Sequence, residues 1–218
     1  MTPALTRRWR SVPRDGGAAI VLALLATALL GALGLGVASL STTEMAAAAN
    51  FRVDTETRYA ADAAIEFSTA EVRGVSDWSA ILSGAVRSVL VGPTLTPILP
   101  SGGAIDLGAM TAEIQAASDA AFGLGANNPR WVLFADGLLS DLAPAAFLAA
   151  RPYVAVWVAD DPAETDGNPV VESNGLLMLM ARAMGPGGSM RAIEAMLGRP
   201  ATGTGAADVR IVSWREVT

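Results

Sequence analysis

The stretch AAIVLALLATALLGALGLGVASL, from Ala18 to Leu40, decides the fold of this protein because it holds 23 consecutive positions without a charge. As an α-helix it would extend for about 35 Å, which is enough to cross the roughly 30 Å hydrocarbon core of a bilayer. Arg7, Arg8, Arg10 and Arg14 precede this run. Since basic residues mark the cytoplasmic side, the sequence predicts a single pass with the bulk of the chain outside the cytoplasm.

The same helix is expected to continue beyond the membrane surface. Residues Ser41 to Arg73 contain neither proline nor glycine, and they mix apolar with charged side chains as an amphipathic helix does. Gly74 is a suitable residue for its end. The sequence therefore predicts one helix from Ala18 to Arg73, which at 1.5 Å per residue would be about 84 Å long. This is far more than a membrane or a small domain requires.

Two simpler explanations of the apolar run stay open. The small residues Ala46 to Ala48 could form the cleavage site of a secretory signal peptide. However, the apolar core of a signal peptide is about 7–15 residues long, so the observed length favours an anchor. A plain single-pass anchor without a further role is the second alternative.

The composition excludes several function classes. Cysteine and histidine are absent and every basic residue is arginine, so thiolate nucleophiles, imidazole bases and zinc sites are excluded. A hydrolase that uses two carboxylates is not excluded by this composition, but nothing in the sequence places two acids facing a cleft, so we expect no enzyme. Of the 15 arginines and 21 acidic residues in the chain, four arginines and one aspartate lie in the first 17 positions, which leaves 11 and 20. An acidic remainder without a basic cluster argues against a nucleic-acid partner.

The region from 75 to 218 is expected to form a small α+β head. Helices are predicted near Ala80–Val89 and Met110–Phe122. Five apolar runs between turn-forming residues predict strands: Trp131–Phe134, Tyr153–Ala159, Leu176–Ala183, Ala192–Leu197 and Val209–Trp214. An antiparallel sheet of these strands would pack its apolar face on the exposed half of the long helix. Four tryptophans of the head, at positions 78, 131, 157 and 214, are expected in the core or the sheet.

One acidic loop has the composition of a cation site. Asp160, Asp161, Glu164, Asp166 and Asn168 supply four carboxylates and an amide within nine residues. Calcium prefers such oxygen ligands, although the spacing does not fit an EF-hand loop. A solvated acidic turn between two strands is the alternative.

Four short motifs follow one another through the N-terminal region: GAAIV at 17–21, STTE at 41–44, NFR at 50–52 and YAADAAI at 59–65. In this order and spacing they resemble the N-terminal domain of PilX-type minor pilins. More loosely, they resemble type IV pilins and the pseudopilins of type II secretion. The resemblance covers residues Gly17 to Ile65.

This resemblance implies a pilin-like fold and a processing route. Residues 1–17 would be a basic leader, 18–74 the transmembrane and extended helix, and 75–218 a periplasmic head. Prepilin peptidase would cut after Gly17, and Ala18 would become the methylated N-terminus. The protein would lie in the inner membrane and then on the cell surface in a pilus. Its partners would be other minor and major pilins and the inner-membrane assembly machinery.

One position departs from the pattern of the major pilins. They carry glutamate at the fifth mature position, where this chain has Leu22. The K-type pseudopilins also lack this glutamate. The departure favours a priming or tip role. A K-like secretion pseudopilin stays open as an alternative, as does a calcium-dependent adhesion module that uses the helix only as an anchor.

Overall fold

The computed structural model describes residues 16–126, 128–142, 151–199 and 209–217. The chain divides into two compact units, Met1–Ala49 and Asn50–Thr218. Helix α1, Gly16–Arg73, contributes residues to both units. The prediction of one uninterrupted helix ending at Arg73 is confirmed, with a start two residues earlier than expected.

The described part of the first unit consists of α1 residues, and their large apolar side chains are exposed. Leu22, Leu30 and Leu35, for example, are 66%, 67% and 76% exposed. By its length and composition, α1 can cross a membrane once. An apolar surface of this extent needs lipid or another apolar helix to cover it.

The second unit is an α+β domain built on a five-stranded antiparallel sheet. Its further helices and strands are α2 (Ser79–Leu82), α3 (Leu107–Phe122), β1 (Val132–Leu138), β2 (Tyr153–Asp160), β3 (Leu176–Met184), β4 (Met190–Gly198) and β5 (Arg210–Val217). Short 3-10 helices occupy Leu139–Asp141 and Pro186–Gly188. The strands follow the chain order β1-β2-β3-β4-β5, and every pair is antiparallel. All five predicted strands are confirmed.

The residues of α1 in the second unit cover one face of the sheet, as predicted. We call this side the α1 face. Val154, Val156 and Val158 point to it from β2 because alternate residues of a strand share a face. They share a core with the following buried residues of α1: Ala60, Ala61, Ala64, Ile65 and Val72.

Helix α3 covers the opposite face, which we call the α3 face. Trp157 and Ala155 of β2 lie there with Met178 and Met180 of β3, in one core with Leu107 and Ile114 of α3. All eight residues of β2 are therefore buried. A strand covered on both sides reads as a continuous apolar run, which is the pattern of YVAVWVA in β2. The sequence prediction of a single packed face was incomplete.

The predicted helix at Ala80–Val89 is much shorter in the structure. Helix α2 ends at Leu82, and Gly84 has a positive φ of 76°, which does not continue a helix. The next residues bond to β1 instead: Ser88 donates its backbone N–H to Phe134, and Leu90 accepts one from Asp136. Backbone pairing beside β1 thus replaces the second half of the predicted helix.

A close approach between α1 and the β3–β4 turn supplies a first prediction. A Cβ on Gly185 would overlap the Thr57 hydroxyl, and Thr57 is fully buried. Gly185→Ala should therefore lower the free energy of unfolding by about 1–3 kcal/mol. In a Thr57→Ala background, the same change should cost little because the hydroxyl is gone. Urea unfolding of the four proteins forms a double-mutant cycle. Equal costs in both backgrounds would show that the two residues are not in contact.

Candidate functional site

Three acidic residues of the predicted loop come together where β2 ends. Asp160 is the last residue of β2, and Asp161 and Glu164 lie in the first turn of the loop that leads to β3. They are only 3%, 2% and 5% exposed. One carboxylate oxygen of each lies within 4.8 Å of the others. We call this group the carboxylate cluster.

Backbone and side-chain donors fix the cluster on the loop side. Ala163 donates its N–H to Asp161 Oδ1 at 2.9 Å, and the amide of Asn174 donates to Asp161 Oδ2 at 2.6 Å. The backbone N–H of Ser173 donates to Glu164 Oε1 at 2.8 Å, and the Ser173 hydroxyl donates to the same oxygen. These bonds tie the beginning of the loop to the residues just before β3.

Two carboxylate oxygens in this region are buried without a hydrogen bond. They are Glu164 Oε2 and Glu172 Oε2. The other oxygen of Glu172 accepts the N–H groups of Gly175 and Leu176, the latter at 3.2 Å. A buried charged oxygen without a donor or a cation is costly. The loop therefore contains more negative charge than its own hydrogen bonds stabilise.

The proton affinity of the cluster follows from this burial. Burial raises the pKa of Asp160 to about 8, aided by the negative charges of Glu164 and Glu172. Burial also raises the pKa of Glu172, against hydrogen bonds from Gly175 and Leu176 that lower it. The pKa of Asp160 is higher in the folded protein than in the unfolded chain. The contribution of this group to the free energy of unfolding therefore falls as pH rises toward 8. The arrangement can hold a proton or a cation.

The other two predicted ligands lie apart from the cluster. Asp166 and Asn168 are exposed, and each caps a local turn: Asp166 Oδ1 accepts the N–H of Asn168 at 2.8 Å, and Asn168 Oδ1 that of Val170 at 3.4 Å. The structure thus brings together three of the five predicted residues. It adds Glu172 and Asn174, which sequence reasoning missed as members of the site. Their only signal was their position directly before β3.

A second buried carboxylate, Asp136 of β1, provides a contrast because its charge is compensated. The Tyr153 hydroxyl donates to Asp136 Oδ2 at 2.8 Å, and the Gly92 N–H donates to the same oxygen at 3.1 Å. The guanidinium of Arg87 lies 3.6 Å from Asp136 Oδ1. This group ties β1 to β2 and to the segment before α3, and we assign it a structural role.

The residues predicted for processing lie in the first unit. Gly17 and Ala18 belong to the first turn of α1, and both are exposed. Positions 1–15 of the predicted leader lie outside the described residues. A Cβ on Gly17 would meet no other atom of the described residues within 4 Å. Among the described residues, therefore, nothing obstructs this position.

Comparisons of the chain with protein-family models, with curated proteins and with solved structures gave no match.

Proposed function

We propose that this protein is a minor pilin of a type IV pilus, with a structural role in starting the filament or ending at its tip. The observation that carries the proposal is the continuity of α1. One helix holds an apolar segment suited to a membrane and then a segment that packs on an antiparallel sheet. The fold is the α+β arrangement that the resemblance to pilins implies.

The mechanism is lateral docking of apolar helices. The exposed leucines, isoleucine and valines between Ile20 and Leu40 offer a surface that another pilin helix can cover. Gly31, Gly34 and Gly36 interrupt this surface, and in the described part of the chain no atom lies within 4 Å of a Cβ added at any of them. Small residues of this kind let two membrane helices approach closely. The partners are other minor pilins and the major pilin.

The chemistry of position 22 supports a priming or tip position. A carboxylate inside a membrane is costly unless a partner charge meets it. Leu22 carries no such charge and is 66% exposed. A subunit with leucine here does not need the N-terminal amine of a neighbour. A K-like pseudopilin would share this property, and the genes beside this one distinguish the two systems.

The decisive experiment is mass spectrometry of the full chain expressed with and without a prepilin peptidase. We expect a mature chain that begins at N-methylated Ala18 only when the peptidase is present. Gly17→Leu should abolish this product, because the resemblance places the cleaved bond directly after Gly17. Gly31→Leu is a matched control at a glycine further along α1, and it should be processed normally. An uncut chain, or a cut near Ala48, would overturn the proposal.

A further inference from the structure

The carboxylate cluster has more buried negative charge than its surroundings compensate. Among the described residues, no arginine forms an ion pair with Asp160, Asp161 or Glu164. The contrast with Asp136, which has an arginine and two hydrogen-bond donors, shows how this same domain compensates a buried carboxylate. Exposed acidic groups can rely on water for this purpose, but these three side chains are at least 95% buried. A bound proton or a cation would offset this charge.

A second observation points to the same need. Glu164 Oε2 is buried and has no hydrogen bond, while Glu164 Oε1 is held in place by Ser173. The carboxylate is thus oriented with one oxygen free to accept a ligand. A buried oxygen without a donor, on a carboxylate that clusters with two others, is the arrangement that a hard cation stabilises.

We propose that Asp160, Asp161 and Glu164 bind one calcium ion, with Glu172 adding negative charge nearby. Calcium accepts six to eight oxygen ligands in irregular geometry, which suits carboxylates carried by a loop, and water would complete its coordination. Magnesium requires a compact octahedron and gives up its water reluctantly, so it fits this cluster less well. The ligand set differs from the pattern in the sequence, because Asp166 and Asn168 take no part.

The ion would hold together the two ends of the long β2–β3 loop. Asp160 and Asp161 stand at its beginning, while Ser173 and Asn174, which bind Glu164 and Asp161, stand at its end. Binding a ligand to the folded state alone raises the melting temperature with ligand concentration. This proposal does not depend on the proposed pilin function, because it concerns the second unit alone.

The test is thermal unfolding of the full chain in detergent, after treatment with EDTA, during titration with calcium chloride or magnesium chloride. We expect calcium to raise the melting temperature by several degrees in a saturable way, and magnesium at equal concentration to raise it much less. Glu164→Gln should lose this response. Asp166→Asn, a change of the same type in the exposed part of the loop, should keep it.

Melting of Glu164→Gln in EDTA tests whether Glu164 has only a structural role. Without calcium, Glu164→Gln should melt at or above the temperature of the unaltered protein, because the substitution removes a buried charge and keeps an oxygen for Ser173. A lower melting temperature in EDTA would mean that the carboxylate is only structural, and would overturn the proposal. The absence of a calcium response in the unaltered protein, its persistence in Glu164→Gln, or an equal response to magnesium would overturn it as well.

Discussion

Replacing Trp157 with alanine is expected to lower the free energy of unfolding of the second unit by about 3–5 kcal/mol. Trp157 lies in the middle of β2, is fully buried on the α3 face, and donates its indole N–H to the Thr111 hydroxyl at 2.7 Å. The substitution leaves a large cavity between the sheet and α3, and the Thr111 hydroxyl keeps only its bond to the Leu107 carbonyl. Urea unfolding of the full chain in detergent, followed by circular dichroism, measures the loss.

Two further variants separate the contributions to this loss. Trp214→Ala makes the same chemical change on β5, where the side chain is 42% exposed, and should cost below about 1 kcal/mol. Thr111→Val removes the hydroxyl that accepts from the indole and donates to the Leu107 carbonyl. It should cost about 1–3 kcal/mol, because the buried indole N–H then lacks a partner. If Trp157→Ala cost no more than Trp214→Ala, the packing of α3 on the sheet described above would be wrong.

The second large effect is expected on the opposite side of the sheet. Ile65 of α1 is 1% exposed and lies in the core of the α1 face. Ile65→Asp removes this apolar contact and buries a carboxylate without a partner, so we expect a loss above about 4 kcal/mol. The second unit should then become sensitive to trypsin at concentrations that leave the unaltered protein intact.

Tyr59→Asp is the matched control for this experiment. Tyr59 lies on the same helix and is 66% exposed, so the change carries a similar helix-propensity cost without touching the core. This variant should resist trypsin about as well as the unaltered protein. Equal sensitivity of the two variants would mean that this part of α1 does not pack on the sheet.

Much of the fold could be predicted from local patterns. Turn formers such as Asn174-Gly175 and Gly185-Pro186 bound the apolar runs. In the structure β3 begins directly after the first of these pairs and ends directly before the second. Helix α1 was predicted because a long segment contains no helix breaker. The packing of α3 on the second face of the sheet could not be predicted from local patterns, since it depends on contacts between residues far apart in sequence. The apolar positions on both sides of β2 were the signal for it.

The candidate site was predicted only in part for a similar reason. Composition identified the acidic loop, but it could not show which carboxylates would be buried. Asp160 is buried because it ends a strand that is covered on both faces, whereas Asp166 lies further along the loop, in solvent. Glu172 and Asn174 join the site through the pairing of β2 with β3, which brings the two ends of the loop together. A pattern within nine residues contains no information on that pairing.

The chain order of the sheet has a consequence for how the protein is made. Each strand pairs with the one synthesised just before it, so the sheet can grow one strand at a time by short-range closures, which are fast. Residues Ala60 to Val72 of α1 are made first, yet they share their core with Leu197 of β4 and Val209, which are made more than a hundred positions later. During synthesis part of this helical surface stays uncovered until β4 has been made. A nascent chain that stalls before β4 therefore exposes part of the apolar surface of α1, which makes it prone to aggregate at this stage.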